Sequence, residues 1–239
     1  MHAPAPNPGW ALFLDIDGTL LDIAPTPDEV HVPESLTQTL LQASAWLGGA
    51  LAVVSGRPFA QIDRLLSPLR LPGGAGHGAA MRLPDGKMET AGDTYVVPRE
   101  WRTLLRNAVQ QWPGVVVEEK PHGVTVHYRA APDRKDDVTE LVTKLTTRDP
   151  DSFEALPARM ACEIRHRALT KAVIVRSLMR HKPFKGRIPV FVGDDVTDHD
   201  GFRAAEEKGG IALDVAVAFD GRPAAVRGWL ERFRTEGTD

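Results

Sequence analysis

Trp10-Ala11-Leu12-Phe13-Leu14-Asp15-Ile16-Asp17-Gly18-Thr19 is the stretch that decides the fold. It begins as a continuous apolar run, which is typical of a strand buried on both faces of a parallel sheet. The two aspartates and the glycine that follow predict that this strand opens into a loop at its carboxyl end. Because ligands bind beyond the carboxyl ends of the strands in open parallel sheets, we expect a functional site in this loop.

The segments that follow repeat the order of strand and helix. Helical spacing covers 33–46, a second apolar run covers 50–54, and another helical pattern covers 59–66. The same alternation resumes after residue 170, with an apolar run at 188–192 and a short strand predicted at 210–217 before a final helix. Such alternation predicts an α/β fold, with a doubly wound, Rossmann-like parallel sheet as its core.

The middle of the chain has a different pattern. Its order is helix, two strands, helix, two strands, which is a small α+β unit that does not readily extend a parallel sheet. The four strands are predicted at 115–119, 124–129, 152–156 and 159–164. We therefore predict a core formed by residues 1–97 together with 168–239, interrupted by an inserted α+β cap domain over residues 98–167.

Composition and charge narrow the possible partners. The chain has 239 residues, 42% of them hydrophobic, and a net charge of -3, which gives no reason to expect nucleic acid or an anionic membrane. No apolar run approaches the roughly 20 residues that span a bilayer, and the first residues lack the pattern of a signal peptide. The single cysteine, Cys162, is interpreted as a packed apolar residue. We expect a cytoplasmic, monomeric protein that binds a small molecule.

Polar side chains follow three of the predicted core strands. Asp15 and Asp17 follow the first strand, Ser55 the second, and Asp194 and Asp195 the strand at 188–192. The carboxyl ends of parallel strands meet at one edge of a sheet, so these groups are expected to converge. Carboxylates held close together repel unless a cation or a shared proton compensates, and an all-oxygen site suits Mg²⁺.

These residue types are suited to phosphoryl transfer. With a cation bound, Asp15 can attack phosphorus and divide hydrolysis into two easier steps, while Asp17 protonates the leaving alkoxide and later deprotonates water. Gly18 permits a sharp turn, and Thr19 offers a hydroxyl and an amide to the phosphoryl group. A calcium loop or a simple turn is the alternative, but two leucines occupy positions where a calcium loop needs acidic ligands.

Four segments resemble, in order, the motifs of the haloacid dehalogenase-like phosphatase superfamily. They are Asp15-Ile16-Asp17-Gly18-Thr19-Leu20, Ser55-Gly56-Arg57, Lys171 and Gly193-Asp194-Asp195-Val196-Thr197-Asp198. The resemblance implies Asp15 as nucleophile and Asp17 as general acid and base. It also implies Ser55 and Lys171 as phosphate ligands, for which a buried serine cap and a solvated surface lysine are the alternatives.

The same resemblance implies a metal site. Mg²⁺ would be held by Asp15, the Asp17 carbonyl and Asp194. Asp195 and Asp198 would contact the waters of the metal or orient loops. A plain helix N-cap is the alternative for Asp198.

The inserted block is expected to select the substrate. Alternation places Glu118 and Lys120 on one face of a predicted strand, and His127 and Arg129 on one face of its partner. Carboxylates and bidentate donors at fixed positions suit a polyhydroxylated sugar. An ordinary solvated sheet face is an equally good interpretation of these residues alone.

The segment from Glu118 to Arg129 is similar to the cap signature of trehalose-6-phosphate phosphatases, as are 76–79 and 193–200. The resemblance extends from Ala11 to about Leu213 and implies hydrolysis of trehalose 6-phosphate to trehalose and phosphate. By analogy, the side chains that contact the sugar phosphate are Arg57, His77, Glu118, Lys120, Arg129 and Glu163, with Thr19 at the phosphoryl end. A packed histidine is the alternative for His77.

Two departures from the family pattern leave room for another substrate. The asparagine and glycine that usually flank the lysine are missing within 165–172, and the segment 215–221 is shortened. A phosphatase for sucrose phosphate or another phosphorylated glycoside is therefore an alternative, as are a hexose phosphomutase and a non-enzymatic sugar-phosphate sensor. A pure sensor gains nothing from two repelling carboxylates at one sheet edge.

Overall fold

The computed structural model describes residues 3–24, 29–158 and 160–233. The chain divides into two compact units. Met1–Thr90 and Thr170–Asp239 form the first, called here the core unit, and Ala91–Leu169 form the second, called the inserted unit. The assignment of catalysis to one unit and of substrate selection to the other stays a prediction.

The secondary structure elements follow in chain order. The strands are β1 (Trp10–Leu14), β2 (Leu51–Val54), β3 (Gly73–Ala75), β4 (Ala80–Arg82), β5 (Met88–Thr90), β6 (Val116–Glu119), β7 (Gly123–His127), β8 (Phe153–Ala158), β9 (Ala161–His166), β10 (Ile188–Gly193) and β11 (Ile211–Asp214). The helices are α1 (Leu36–Trp46), α2 (Phe59–Leu65), α3 (Arg99–Val109), α4 (Lys135–Thr146), α5 (Lys171–Leu178), α6 (His199–Glu206), α7 (Val215–Ala218) and α8 (Pro223–Leu230). No helix in the described part of the chain has the length and apolarity needed to cross a membrane.

The core unit is built on a seven-stranded sheet in the order β11-β10-β1-β2-β3-β4-β5. The first five of these strands run parallel, and the hairpin of β4 and β5 adds two antiparallel strands at one edge. The predicted α/β fold with an inserted α+β unit is therefore confirmed, with a mixed rather than wholly parallel sheet.

Strand β1 lies in the middle of the parallel strands, between β10 and β2. All five of its side chains are buried, as the apolar run predicts. Leu12 is in register with Val190 on one side and with Leu51 on the other. The loop after β1 therefore lies at the same sheet edge as the loops after β2 and β10.

The inserted unit contains a four-stranded antiparallel sheet in the order β6-β7-β9-β8 and the helices α3 and α4. One face of this sheet supplies Val124, Val126, Cys162 and Ile164 to an apolar core shared with Trp101 of α3. Burial raises the pKa of the Cys162 thiol to about 11, which keeps it protonated at neutral pH. This agrees with its interpretation as a packed apolar side chain.

Several predicted strand boundaries differ from the structure by one or more residues, and three of these differences affect residues singled out in the sequence. The strand expected at 210–217 ends at Asp214, because the Asp214 carboxylate accepts hydrogen bonds from the amides of Ala216 and Val217 and starts helix α7. Strand β7 ends at His127, so Arg129 lies beyond it and is exposed. Arg159, the expected first residue of β9, lies outside the described residues, and β9 begins at Ala161.

The contact between β3 and α5 predicts the effect of adding one methyl group. A Cβ on Gly74 would lie 2.3 Å from Cγ1 of Ile174 in α5, so Gly74→Ala should lower the free energy of unfolding by about 1–3 kcal/mol. The matched control is Gly228→Ala in α8, where a Cβ meets no atom of the described residues within 4 Å. This variant should gain about 0.5–1 kcal/mol from helix propensity.

Urea denaturation of the three proteins measures both effects. If Gly74→Ala matched the wild type in stability, β3 and α5 would not pack as closely as described.

Candidate active site

The loop after β1 depends on a glycine in the left-handed region. Gly18 has φ of 80°, and its amide donates a hydrogen bond to the carbonyl of Leu21 at 2.8 Å. A Cβ at this position would lie 2.0 Å from Oδ2 of Asp194. Only glycine therefore lets the Asp194 carboxylate approach the loop that carries Asp15 and Asp17.

A buried lysine joins two carboxylates at the carboxyl edge of the core sheet. Lys171 Nζ lies 2.7 Å from Oδ1 of Asp15 and 2.6 Å from Oδ1 of Asp198, and the three side chains are 0–6% exposed. Burial alone would lower the pKa of Lys171, but the two carboxylates outweigh it and raise that pKa. Lys171 is thus a charged group within the site and not a solvated surface lysine.

Asp15 experiences opposing electrostatic effects. Its burial raises the pKa of the carboxyl well above the usual range, Lys171 opposes this rise, and the neighbouring carboxylates of Asp198 and Asp194 reinforce it. Additional positive charge at this point would therefore favour the ionised form of Asp15.

Asp198 shapes the loop that follows β10. Its Oδ2 accepts hydrogen bonds from the amides of Asp194 at 3.1 Å and of Asp195 at 3.0 Å. Its side chain makes no capping hydrogen bond to α6, so the simple N-cap interpretation does not hold for that helix. Asp198 instead fixes the loop and pairs with Lys171.

Thr19 has a different contact from the one predicted. Its side chain is fully buried, and its hydroxyl donates to Oδ1 of Asp194 at 3.1 Å. The hydroxyl that was expected to meet the phosphoryl group is therefore already engaged with a carboxylate. Burial, together with the negative charge of Asp198, raises the pKa of Asp194 to about 6.

The carboxylates of Asp15, Asp194 and Asp198 each offer an oxygen within 4.8 Å of the others. Lys171 pairs with two of these three carboxylates, Asp15 and Asp198, so its single charge leaves an excess of negative charge that a divalent cation would balance. Asp198 accepts three hydrogen bonds, whereas Asp15 accepts one from Lys171 and Asp194 one from Thr19, so Asp15 and Asp194 are the better ligands. The site thus fits a hard cation.

Two of the predicted metal residues lie outside this cluster of carboxylates. The side chain of Asp195 is exposed, and its Oδ1 accepts a hydrogen bond from the amide of Val196 at 2.7 Å. The side chain of Asp17 pairs with Arg57, so only its backbone carbonyl, as the resemblance implies, could serve a metal.

Arg57 donates two parallel hydrogen bonds to the carboxylate of Asp17. Its Nε lies 2.6 Å from Oδ2 and its Nη2 lies 2.7 Å from Oδ1. Sequence reasoning placed Arg57 against the sugar and missed this pair. The available signal was that Asp17 and Arg57 follow adjacent parallel strands, β1 and β2, at the same edge of the sheet.

Ser55 and His77 lie close to this pair. The Ser55 hydroxyl is buried and accepts a hydrogen bond from the amide of Arg57 at 3.1 Å, which leaves its proton to donate. The His77 amide donates to the Ser55 carbonyl at 3.2 Å, and its ring is so near Gly56 that a Cβ there would lie 2.4 Å from Nε2. His77 therefore borders the Ser55 loop.

The glycine after His77 connects this turn to helix α5. Gly78 has φ of 111°, and a Cβ on it would lie 2.6 Å from the carbonyl oxygen of Thr170. The backbone of Gly78 therefore lies against Thr170, the residue immediately before Lys171.

Within the inserted unit, three of the predicted sugar-contacting residues form one polar cluster. Glu118 lies 2.9 Å from Nε2 of His127, and this hydrogen bond lowers the pKa of the Glu118 carboxyl. Lys120 lies 3.9 Å from Glu163, whose pKa is raised by burial. Arg129 is exposed beyond the end of β7 and is not part of the cluster.

The fold and the site define a haloacid dehalogenase-like phosphatase, with an acidic loop after the first strand and a buried lysine against its first aspartate. The trehalose-phosphatase family profile matches residues 13–225, and the chain belongs to this family. It is 41% identical over 206 residues to a probable trehalose-phosphate phosphatase of Sinorhizobium fredii, covering 86% of this chain and 77% of the relative.

Two further relatives extend the comparison. The chain is 34% identical to the trehalose-6-phosphate phosphatase of Escherichia coli, over 98% of this chain and 90% of that protein. Its fold is similar to that of the C-terminal domain of the Candida albicans trehalose-6-phosphate phosphatase, with a TM-score of 0.75 and 21% identity over 98% and 99% of the two chains.

The hydrogen bond between Thr19 and Asp194 predicts a change in cation affinity. Thr19→Val keeps the shape of the side chain but removes the donor, so the half-saturating concentration of divalent cation should rise by about 10-fold. Titration of phosphatase activity with the cation measures this value, and Thr19→Ser, which keeps the hydroxyl, is the matched control. An unchanged cation requirement with a raised KM for the phosphorylated substrate would instead place Thr19 on the substrate.

Proposed function

We propose that this protein is a Mg²⁺-dependent phosphatase that hydrolyses trehalose 6-phosphate to trehalose and phosphate through an aspartyl-phosphate on Asp15. Family membership over residues 13–225 supports the substrate class. The observation that carries the chemistry is the buried Asp15 carboxylate at the end of the central strand, 2.7 Å from Lys171. A cytoplasmic location and a monomeric state are parts of this proposal that rest on the sequence.

Asp15 acts as the nucleophile in this proposal. Its Oδ1 is held by Lys171, so Oδ2 is the oxygen left to form the bond to phosphorus as the bond to the sugar oxygen breaks. Lys171 stabilises negative charge on the carboxylate before attack and on the phosphoryl group afterwards. Ser55, whose hydroxyl proton is not used within its own loop, donates to a phosphoryl oxygen.

Asp17 acts as the general acid and then as the general base. It gives a proton to the departing sugar oxygen and later takes one from the water that cleaves the aspartyl-phosphate. Arg57 orients the Asp17 carboxylate through two hydrogen bonds. Release of one of these bonds frees an oxygen of Asp17 to carry the proton.

The side chains of Asp15 and Asp194 and the Asp17 carbonyl would hold Mg²⁺, Asp195 would face its waters, and Asp198 keeps the loop in place. When bound, the cation offsets the charge repulsion between the phosphoryl oxygens and the carboxylates. The all-oxygen donor set and the excess of negative charge support this choice of metal.

The inserted unit supplies the contacts to the sugar in this proposal. Glu118, Lys120 and Glu163, which lie in one polar cluster, bind sugar hydroxyls. His77, which borders the Ser55 loop within the core unit, belongs to the sugar-contacting set by resemblance. Arg129 belongs to the set by resemblance alone.

Substitution of Asp15 should reduce turnover more than substitution of Asp17. Asp15→Asn removes the nucleophile and should abolish turnover, whereas Asp17→Asn should lower kcat by about 10²–10⁴-fold, the usual contribution of general acid catalysis. Asp22→Asn in the same loop is the matched control, since Asp22 is largely exposed and pairs with Arg227. Steady-state phosphate release measures all three variants, and a wild-type rate in either of the first two would refute the role assigned to it.

A substrate screen tests the function itself. Phosphate release is measured from trehalose 6-phosphate, sucrose 6-phosphate and glucose 6-phosphate, with Mg²⁺ and with a chelator in its place. We expect the highest kcat/KM for trehalose 6-phosphate with Mg²⁺, and loss of activity with the chelator. Release from other sugar phosphates but not from trehalose 6-phosphate would overturn the substrate proposal. An isomerised sugar phosphate without free phosphate would favour a phosphomutase.

A further inference from the structure

Three side chains form a row across the sheet of the inserted unit. Thr125 of β7 is directly opposite Glu118 of β6 on one side and Glu163 of β9 on the other. Residues directly opposite one another in antiparallel strands point to the same face of a sheet. The row lies on the face opposite to the one that supplies Val124 and Val126 to the apolar core.

The middle member of this row has an unusual hydrogen-bonding state. Thr125 is 4% exposed, and within residues 3–24, 29–158 and 160–233 its buried Oγ1 has no hydrogen-bond partner. A buried hydroxyl without a partner is unfavourable, and such groups are uncommon in native proteins. A group that completes the hydrogen bond on binding would remove this penalty.

The charges beside Thr125 indicate what kind of group that is. Carboxylates flank it on both sides, and Lys120, 3.9 Å from Glu163, is the cation paired with one of them. Two carboxylates beside the hydroxyl disfavour a phosphate. A sugar hydroxyl both donates and accepts, so it can take the proton of Thr125 while giving its own to a neighbouring carboxylate.

We propose that Thr125 is a specificity-determining residue whose hydroxyl hydrogen-bonds a hydroxyl of the sugar. This inference rests on the proposed hydrolysis of trehalose 6-phosphate. The competing explanation is that threonine is present only because β-branched residues suit strands. Valine would serve that purpose equally well, so the two explanations predict different results for a Thr125→Val variant.

The experiment compares Thr125→Val with Thr125→Ser, which keeps the hydroxyl. Steady-state kinetics are measured with trehalose 6-phosphate and with para-nitrophenyl phosphate, which has no sugar hydroxyl. Thr125→Val should raise KM for trehalose 6-phosphate by about 2- to 10-fold, the effect of one neutral hydrogen bond, and leave para-nitrophenyl phosphate kinetics unchanged. Thr125→Ser should stay within about twofold of the wild type on both substrates. The melting temperature of Thr125→Val should be equal to or above that of the wild type, because an unpartnered buried hydroxyl is removed.

Each other outcome has a definite meaning. If the wild type hydrolyses trehalose 6-phosphate and Thr125→Val does so with an unchanged KM, the inference is overturned and the proposed function stands. An equal loss on both substrates, or a lowered melting temperature, would show a structural role and also overturn it. A wild-type protein inactive on trehalose 6-phosphate would overturn the proposed function, and the inference with it.

Discussion

The ion pairs of Lys171 with Asp15 and Asp198 are the interaction on which the rest of the site depends. An ammonium and two carboxylates are removed from water together, at distances of 2.7 and 2.6 Å. Removing one member of such a buried set typically costs about 3–5 kcal/mol, because an uncompensated charge is left behind. The lysine therefore links the end of β1, the start of α5 and the loop after β10, and it keeps the nucleophile beside a positive charge.

The fold brings these groups together through close backbone approaches. Adjacent parallel strands β1 and β10 place the aspartates of two loops at one sheet edge, and the Asp15 amide donates to the Val192 carbonyl at 3.0 Å. Gly18 and Gly193 have no Cβ, and this leaves room for two carboxylates. A Cβ on Gly18 would lie 2.0 Å from Oδ2 of Asp194, and a Cβ on Gly193 would lie 2.3 Å from Cγ of Asp198. The two glycines thus let the carboxylates of Asp194 and Asp198 lie close to the backbone of the site. The negative charge that collects there is the reason that a cation fits.

Much of this arrangement could be predicted from the sequence, because apolar runs and the polar residues that end them obey simple rules. Asp15 and Asp194 follow buried parallel strands, so their convergence required only the order of strand and helix. The contacts of individual side chains could not be predicted in the same way. The bond of Thr19 to Asp194 and the pairing of Arg57 with Asp17 depend on loop conformation, and the early end of β11 depends on one Asp214 capping interaction. These are local choices between neighbouring donors and acceptors, which periodicity does not determine.

The central claim is that Asp15, held by Lys171, becomes covalently phosphorylated. Rapid acid quenching during turnover of trehalose 6-phosphate, followed by peptide mass spectrometry, tests it most directly. We expect a phosphoryl group on the peptide that contains Asp15, formed and lost at rates no slower than kcat. A phosphoryl group on another residue, or phosphate release without any phosphorylated peptide under the same quench, would contradict it.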